Sequence, residues 1–193
     1  VIFLSLDVET SGPSPGQNSL VSIGAAPVVR RGGQWAVNLA RTFYVELKPQ
    51  PGAIELVEAT AIHGLTTEYL AEHGDEPAIA MQSFVDFYEG LKARYSRVRS
   101  AAWPASFDGP FVSWMCHRYL GLNPLGHSTF DIASYAMGAL DCTDRRRLQH
   151  VMKVAGYAKP ANPDEHHALS DAIAQGETLA WLLNHVEKRR PTD

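Results

Sequence analysis

Four carboxylates and two histidines stand where they could act together. Asp7 and Glu9 lie two residues apart at the end of an apolar run, Val1–Val8, which reads as a strand buried on both faces. Side chains two apart point to one face of a strand, about 7 Å apart along it. Ser5 shares that face, while Ile2, Leu4, Leu6 and Val8 hold the other. Two anions at the end of a buried strand are costly unless something neutralises them. Asp108 follows Phe107 just beyond a second predicted strand, Arg97–Trp103, and strand ends are where α/β sheets tend to place their sites. Asp171 stands near the start of a predicted helix over His166–Glu187, one residue from the apolar row of Leu169, Ala172 and Ile173. Carboxylates gathered around an imidazole are the side chains for holding hard cations and moving protons.

Taken singly, each acid has an ordinary reading as well. The first strand can end at Asp7 with its acids in solvent. Asp108, ahead of Gly109-Pro110, suits a helix N-cap. Asp171 suits a first helical turn, which favours negative charge. For the imidazole, helical spacing points to His167, which is four residues before Asp171 and shares its face, rather than to His166 at five.

The elements that must position these groups follow from periodicity. Leu20–Arg31 and Gln34–Lys48 are β-rich runs joined by Gly32-Gly33, a two-residue hairpin signal, so the first quarter reads as three antiparallel strands. Helices are predicted over Ala53–Ala61, Pro77–Tyr95, Phe107–Leu120, Ile132–Leu140 and Thr143–Ala155, the last capped by Thr143. Ser11–Ser19 and Lys159–Glu165 read as loops. Three strands followed by helices interleaved with strands imply an α/β layer architecture around a mixed sheet.

In order and spacing, Asp7-Val8-Glu9-Thr10, Phe107-Asp108 and His166-x-Ala168-Leu169-x-Asp171 resemble the three exonuclease motifs of the DEDDh family. Ser22-Ile23-Gly24-Ala25 and Ile62-His63-Gly64-Leu65-Thr66 add to the likeness, which spans nearly the whole chain. The resemblance implies a ribonuclease H-like α/β fold with three antiparallel strands, then parallel strands, flanked by helices. It implies a metal-dependent 3′→5′ exonuclease that hydrolyses phosphodiester bonds at the 3′ end of single-stranded DNA or RNA. Asp7, Glu9, Asp108 and Asp171 would then be the metal-site acids, and His166 the general base. The cofactors would be two divalent cations, Mg²⁺ or Mn²⁺, about 4 Å apart, which activate a water and stabilise the departing oxygen. The family often places Asn four residues before the middle Asp, and here Pro104 stands there, after Trp103.

For the strand end, Thr10 and Ser11 offer backbone and hydroxyl donors. His63, Gly64, Leu65 and Phe107 would border the terminal base, where apolar or aromatic stacking accepts any base; Leu65 and Phe107 suit plain core packing equally. Arg145-Arg146-Arg147 either grips upstream phosphates or is a solvated helix face. Two other function classes fit the same residues. One is a catalytically silent nucleic-acid-binding module of this fold, and the other a metal-dependent nucleotide phosphohydrolase.

Composition bounds these readings. At 193 residues and 45% hydrophobic content the chain can bury one core, read as a single exonuclease domain over 1–187 with a polar tail over 188–193. A net charge of −4 argues for a small footprint such as a strand end, or for contact carried by cations, rather than a long basic groove. Cys116 and Cys142 have neither metal-type spacing nor a disulfide framework and read as buried free thiols in a reducing, cytoplasmic setting. No apolar run is long enough to span a membrane.

Overall fold

A computed structural model describes residues 1–189. Its strands are β1 (Ile2–Thr10), β2 (Leu20–Arg31), β3 (Gln34–Val37), β4 (Phe43–Glu46), β5 (Val98–Ala102) and β6 (Phe130–Asp131). Its helices are α1 (Val57–His63), α2 (Thr67–His73), α3 (Pro77–Lys92), α4 (Ala105–Leu120), α5 (Ile132–Ala139), α6 (Leu148–Val154) and α7 (Ala168–Arg189). The strands form one mixed sheet in the order β3-β2-β1-β5-β6, with β4 also on β2. β1, β2, β3 and β4 pair antiparallel, and β5 and β6 continue parallel from β1.

β1 lies near the centre and is covered on both faces, which is why its sequence is almost continuously apolar. On one face Leu4, Leu6 and Val8 pack with Phe84 of α3 and with Phe111 and Met115 of α4. On the other, Phe3 and Val28 pack with Ile132 of α5, Leu148 of α6 and Leu179 of α7. Both thiols are free and buried, and burial pushes Cys116 up to about 12. No helix among the described residues is long and apolar enough to cross a membrane.

The run expected as one strand over Gln34–Lys48 is broken in two. β3 pairs with β2 at Val28↔Val37, and β4 resumes at Ala25↔Phe43. Ala26 and Pro27 of β2 therefore face residues 38–42, which fold into a short 3₁₀ turn at Leu39–Arg41. Pro27 is the cause. Its carbonyl accepts from Asn38 on that side at 2.8 Å, and the N–H that would continue the ladder there does not exist. Other ends move for similar local reasons. The first helix begins at Val57 rather than Ala53, and α2, unread in the sequence, starts where the Thr66 hydroxyl accepts from the Tyr69 amide. Asp144, not Thr143, caps the turn at Arg145–Arg147 ahead of α6. α7 starts at Ala168 and runs through Lys188 and Arg189, which the sequence assigned to a polar tail; the rest of that tail lies outside the described residues.

α7 sits unusually close to the sheet. Ala168, Ala172, Gly176 and Ala180, four residues apart, are small and buried along it. Gly24 of β2 lies under its first residue: a Cβ there would stand 2.1 Å from the Ala168 carbonyl oxygen and 2.3 Å from the Leu169 nitrogen. Gly24 is also the register partner of Asp7 on β1. At the far end of α7, the Asn184 amide accepts from the Trp35 N–H at 2.8 Å and donates to the Trp35 carbonyl at 2.9 Å, on edge strand β3.

Gly24→Ala should therefore cost about 1–3 kcal/mol, the usual penalty of overpacking, because the contact is with backbone that cannot rotate away. Gly90→Ala, in α3 with nothing near the added methyl, should instead gain about 0.5–1 kcal/mol. Urea denaturation of the two variants against the parent checks this; an unchanged midpoint for Gly24→Ala would refute the close seating of α7.

Candidate active site

β1 runs on past β5. Their pairing stops at Ser5↔Ala101, and the last residues of β1 project beyond it. Asp7 and Glu9 lie in that projecting end, on the face that α7 covers. The start of α7, held against Gly24, brings Asp171 to them. Asp7, Glu9 and Asp171 each offer a carboxylate oxygen within 4.8 Å of the other two. Asp108 enters from the first turn of α4 and is buried; its Oδ1 accepts from the Val8 N–H at 3.0 Å, an amide that β5 no longer reaches. It is an inward-facing acid within the helix, because α4 begins at Ala105 and Pro104 occupies the cap position.

Four like charges in a half-buried corner cannot all ionise at ordinary cost. Burial holds the Asp7 carboxyl well above the usual carboxylate range, and Asp108, Glu9 and Asp171 raise it further. Burial, then Asp171 and Asp108, pushes Glu9 up to about 8. Burial pushes Asp108 up to about 7 against the pull of the Val8 and Asp108 amides. No ion pair among the described residues reaches any of the four. All-oxygen donors without a cationic partner fit a hard divalent ion.

Asp171 is held from both sides. Its Oδ2 accepts from the His166 backbone N–H at 2.9 Å, and its Oδ1 accepts from the Asn162 amide at 2.5 Å. Asn162 in turn accepts from the Ser170 hydroxyl. The bond to His166 folds the loop back, with His166 at φ 67°, so that this exposed residue lines the same cleft as Asp7 and Asp171. Because α7 starts at Ala168, His167 precedes the helix and shares no helical face with Asp171. Its ring stacks on Tyr44 of β4, 4.3 Å between centroids.

The residues expected to meet the strand end are differently disposed. Thr10 and Ser11 are buried, and their hydroxyl hydrogens go to the carbonyls of Gly12 (2.8 Å) and Ile54 (2.9 Å). What those two hydroxyls do is shape the loop after β1. His63 is half-buried at the end of α1; its Nδ1 accepts from the Leu65 N–H at 3.1 Å, which leaves the proton of the neutral ring on Nε2, beside the Thr10 backbone. Burial lowers its pKa. Leu65 follows it, half-buried, and Phe107 packs on Phe111 at 5.3 Å, partly in the core.

Two groups in the site escaped the sequence reading. The Gln175 amide donates to Asp7 Oδ1, and its carbonyl oxygen accepts from the Trp103 N–H at 2.8 Å. It thereby ties Asp7 to the end of β5. Its spacing of four from Asp171 was the available signal. Asn162 had none, since its partner across the loop depends on how Lys159–Glu165 folds back.

Over 98% of its length the chain is 34% identical to the 3′-5′ DNA exonuclease Cap18 of Escherichia coli, covering 95% of that protein. Among solved structures, the nuclease domain of 3′hExo, a DEDDh family member, superposes with a TM-score of 0.72 at 12% identity, over 94% of this chain and 91% of that one. The zinc-bound complex of E. coli ExoI with single-stranded DNA gives 0.70 at 18% identity, over 98% of this chain and 41% of that one. The chain thus spans about two-fifths of ExoI, and at these identities the likeness is one of fold, the ribonuclease H-like α/β fold. Residues 4–179 match the sequence pattern of RNase_T, described as Exonuclease, and on that match and the Cap18 likeness the chain belongs to the Exonuclease family.

Proposed function

We propose that the chain is a divalent-metal-dependent 3′→5′ exonuclease that releases nucleotides from the 3′ end of single-stranded DNA or RNA. The meeting of Asp7, Glu9 and Asp171 within 4.8 Å, with Asp108 close enough to raise Asp7 and no ion pair to any of the four among the described residues, is the observation that supports it most. The Cap18 likeness favours DNA as the first substrate to try.

Asp7, Glu9, Asp108 and Asp171 are the residues that would hold two Mg²⁺ or Mn²⁺ ions. When bound, such ions supply an activated water, charge for the phosphate and stabilisation of the leaving 3′ oxygen. Gln175 fixes which oxygen of Asp7 is free, because the other is taken. Asp108, anchored on the Val8 amide, keeps its carboxylate beside β1. His166, at the cleft edge and turned there by Asp171, is the general base that takes the proton of the attacking water on its imidazole. Thr10, Ser11, His63, Leu65 and Phe107 border the terminal nucleotide, the first two through the loop they shape.

An oligonucleotide labelled at its 5′ end should be shortened stepwise from a free 3′ end with Mg²⁺ or Mn²⁺ and stay intact in excess chelator. Shortening of a strand blocked at its 3′ end would sink the assigned direction.

The raised pKa values of Glu9 and Asp108 give a second expectation. Between their ordinary values and about 7–8, the folded protein keeps protons that the unfolded chain has released. Stability without metal therefore falls as pH rises through that window. Glu9→Gln should flatten the fall and raise the melting temperature in chelator at pH 8, while losing most of the stabilisation that Mn²⁺ gives the parent. Thermal melts of both proteins at pH 5 and pH 8, with and without Mn²⁺, decide it; equal slopes with pH would refute it.

At saturating metal, His166→Ala should lose about 10²–10⁴ in rate, the worth of a general base. His167→Ala, which removes only the stack on Tyr44, should lose far less. The reverse order in single-turnover rates would move the base to His167.

A further inference from the structure

We infer that the cleft between Trp103 and Tyr157 receives the second nucleotide from the 3′ end, its base held against these two rings. The inference rests on the exonuclease reading above. A cleft of about 380 Å³ opens directly from Asp7, Asp171 and His166 toward Trp103, Tyr157 and Lys159. That volume lies within the range of ordinary ligand sites, about 300–1,000 Å³. Glu9, Asp108 and the five residues assigned to the terminal nucleotide lie outside its lining.

The strand order says which part of the substrate belongs there. His63 and Leu65 follow β4, on the β2 side of β1, and Phe107 packs against the core under α3 and α4, whereas Trp103, after β5, and Tyr157 pack against the core under α7. The acids at the end of β1 stand between them. A strand whose terminal nucleotide lies among His63, Leu65 and Phe107 and whose scissile phosphate meets the acids continues past Asp7 and Asp171 into this cleft.

Its walls are set in advance. The Trp103 ring packs against the core under α7, and its backbone N–H is tied to Gln175, the residue that also holds Asp7. The Tyr157 hydroxyl bonds the Thr178 hydroxyl at 2.6 Å, and its ring packs on Trp181 with centroids 5.0 Å apart. Rings that are already ordered lose little freedom when a base stacks on them. Charge of the right sign is close by. The Arg145 guanidinium lies over the Trp103 ring, 5.8 Å from its centroid, and takes part in no ion pair among the described residues. Lys159 pairs with exposed Glu165. Aromatic surface beside cations is how single strands are held without regard to sequence. Arg145 is thereby assigned to the phosphate on the 5′ side of the second nucleotide, and its neighbour Arg146 is occupied by Asp144.

The test uses three otherwise identical DNA strands, one intact, one with an abasic residue next to the last, and one with an abasic residue five positions from the 3′ end. Single-turnover removal of the terminal nucleotide is measured with Mn²⁺. The unaltered protein should slow about 10-fold on the penultimate abasic strand, the scale of one base–aromatic stack, and not at all on the distal one. Trp103→Leu should slow on the intact strand by a similar factor and show no further loss on the penultimate abasic strand. Equal rates of the unaltered protein on all three strands overturn the subsite while leaving the exonuclease reading in place. Failure to shorten any strand overturns the exonuclease reading and the subsite together. The unaltered protein's arm decides the matter even if Trp103→Leu folds poorly, and Arg145→Ala, an exposed change, adds a second variant expected to weaken strand binding in a salt-dependent way.

Discussion

The site depends on a contact between two stretches of backbone. The start of α7 rests on Gly24, and no side chain fits between them. Everything that α7 delivers follows from that seating. Asp171 comes within reach of Asp7 and Glu9, Gln175 reaches Asp7 one turn later, and the His166 loop is folded back over the cleft. Gly24 lies opposite Asp7 in the ladder, so one register fixes both the acid and the space that lets its partner approach. The small residues Ala168, Ala172 and Gly176 extend the same close packing along the helix.

That seating stores electrostatic work. A fold that drives Asp7, Glu9, Asp108 and Asp171 together raises the carboxyls it buries, and it does so with core packing as the counterweight. Hydrogen-bond donors soften the repulsion without removing charge: the Val8 amide at Asp108, Gln175 at Asp7, and the His166 amide with Asn162 at Asp171. The corner is therefore rigid in geometry and unsatisfied in charge. A protein of net charge −4 can meet a polyanion at such a place when cations stand between them.

Much of this was legible in the chain. The alternation of β1 put Asp7 and Glu9 on one face, the Gly32-Gly33 turn marked the hairpin, and three short motifs tied the distant acids into one site. The illegible parts were those fixed by partners far away in sequence. Pro27 split the following strand by removing one N–H from a ladder whose other half had to be known first. Helical spacing pointed to His167, yet the helix starts later, and a side-chain-to-backbone bond rather than a helical face sets where His166 lies. Thr10 and Ser11 have the hydroxyls a substrate would use, but the loop takes them for its own carbonyls. Trp103 looked like a mere departure beside Pro104, and only the path of β5 shows that it borders the cleft.

The Asn184 amide on the outer side of β3 has a consequence for how these molecules behave when crowded. A primary amide carries the same donor and acceptor as a peptide group, so Asn184 meets Trp35 much as the next strand of a sheet would. The Trp35 indole is also tied, through Nε1, to Glu187, which Arg30 pairs in turn. A β-segment from another polypeptide would have to evict Asn184 before it could add to the sheet at β3, and blocking an edge in this way is how natural sheets discourage edge-to-edge polymerisation. The helix that positions Asp171 at one end thus guards the β3 edge of the sheet at the other.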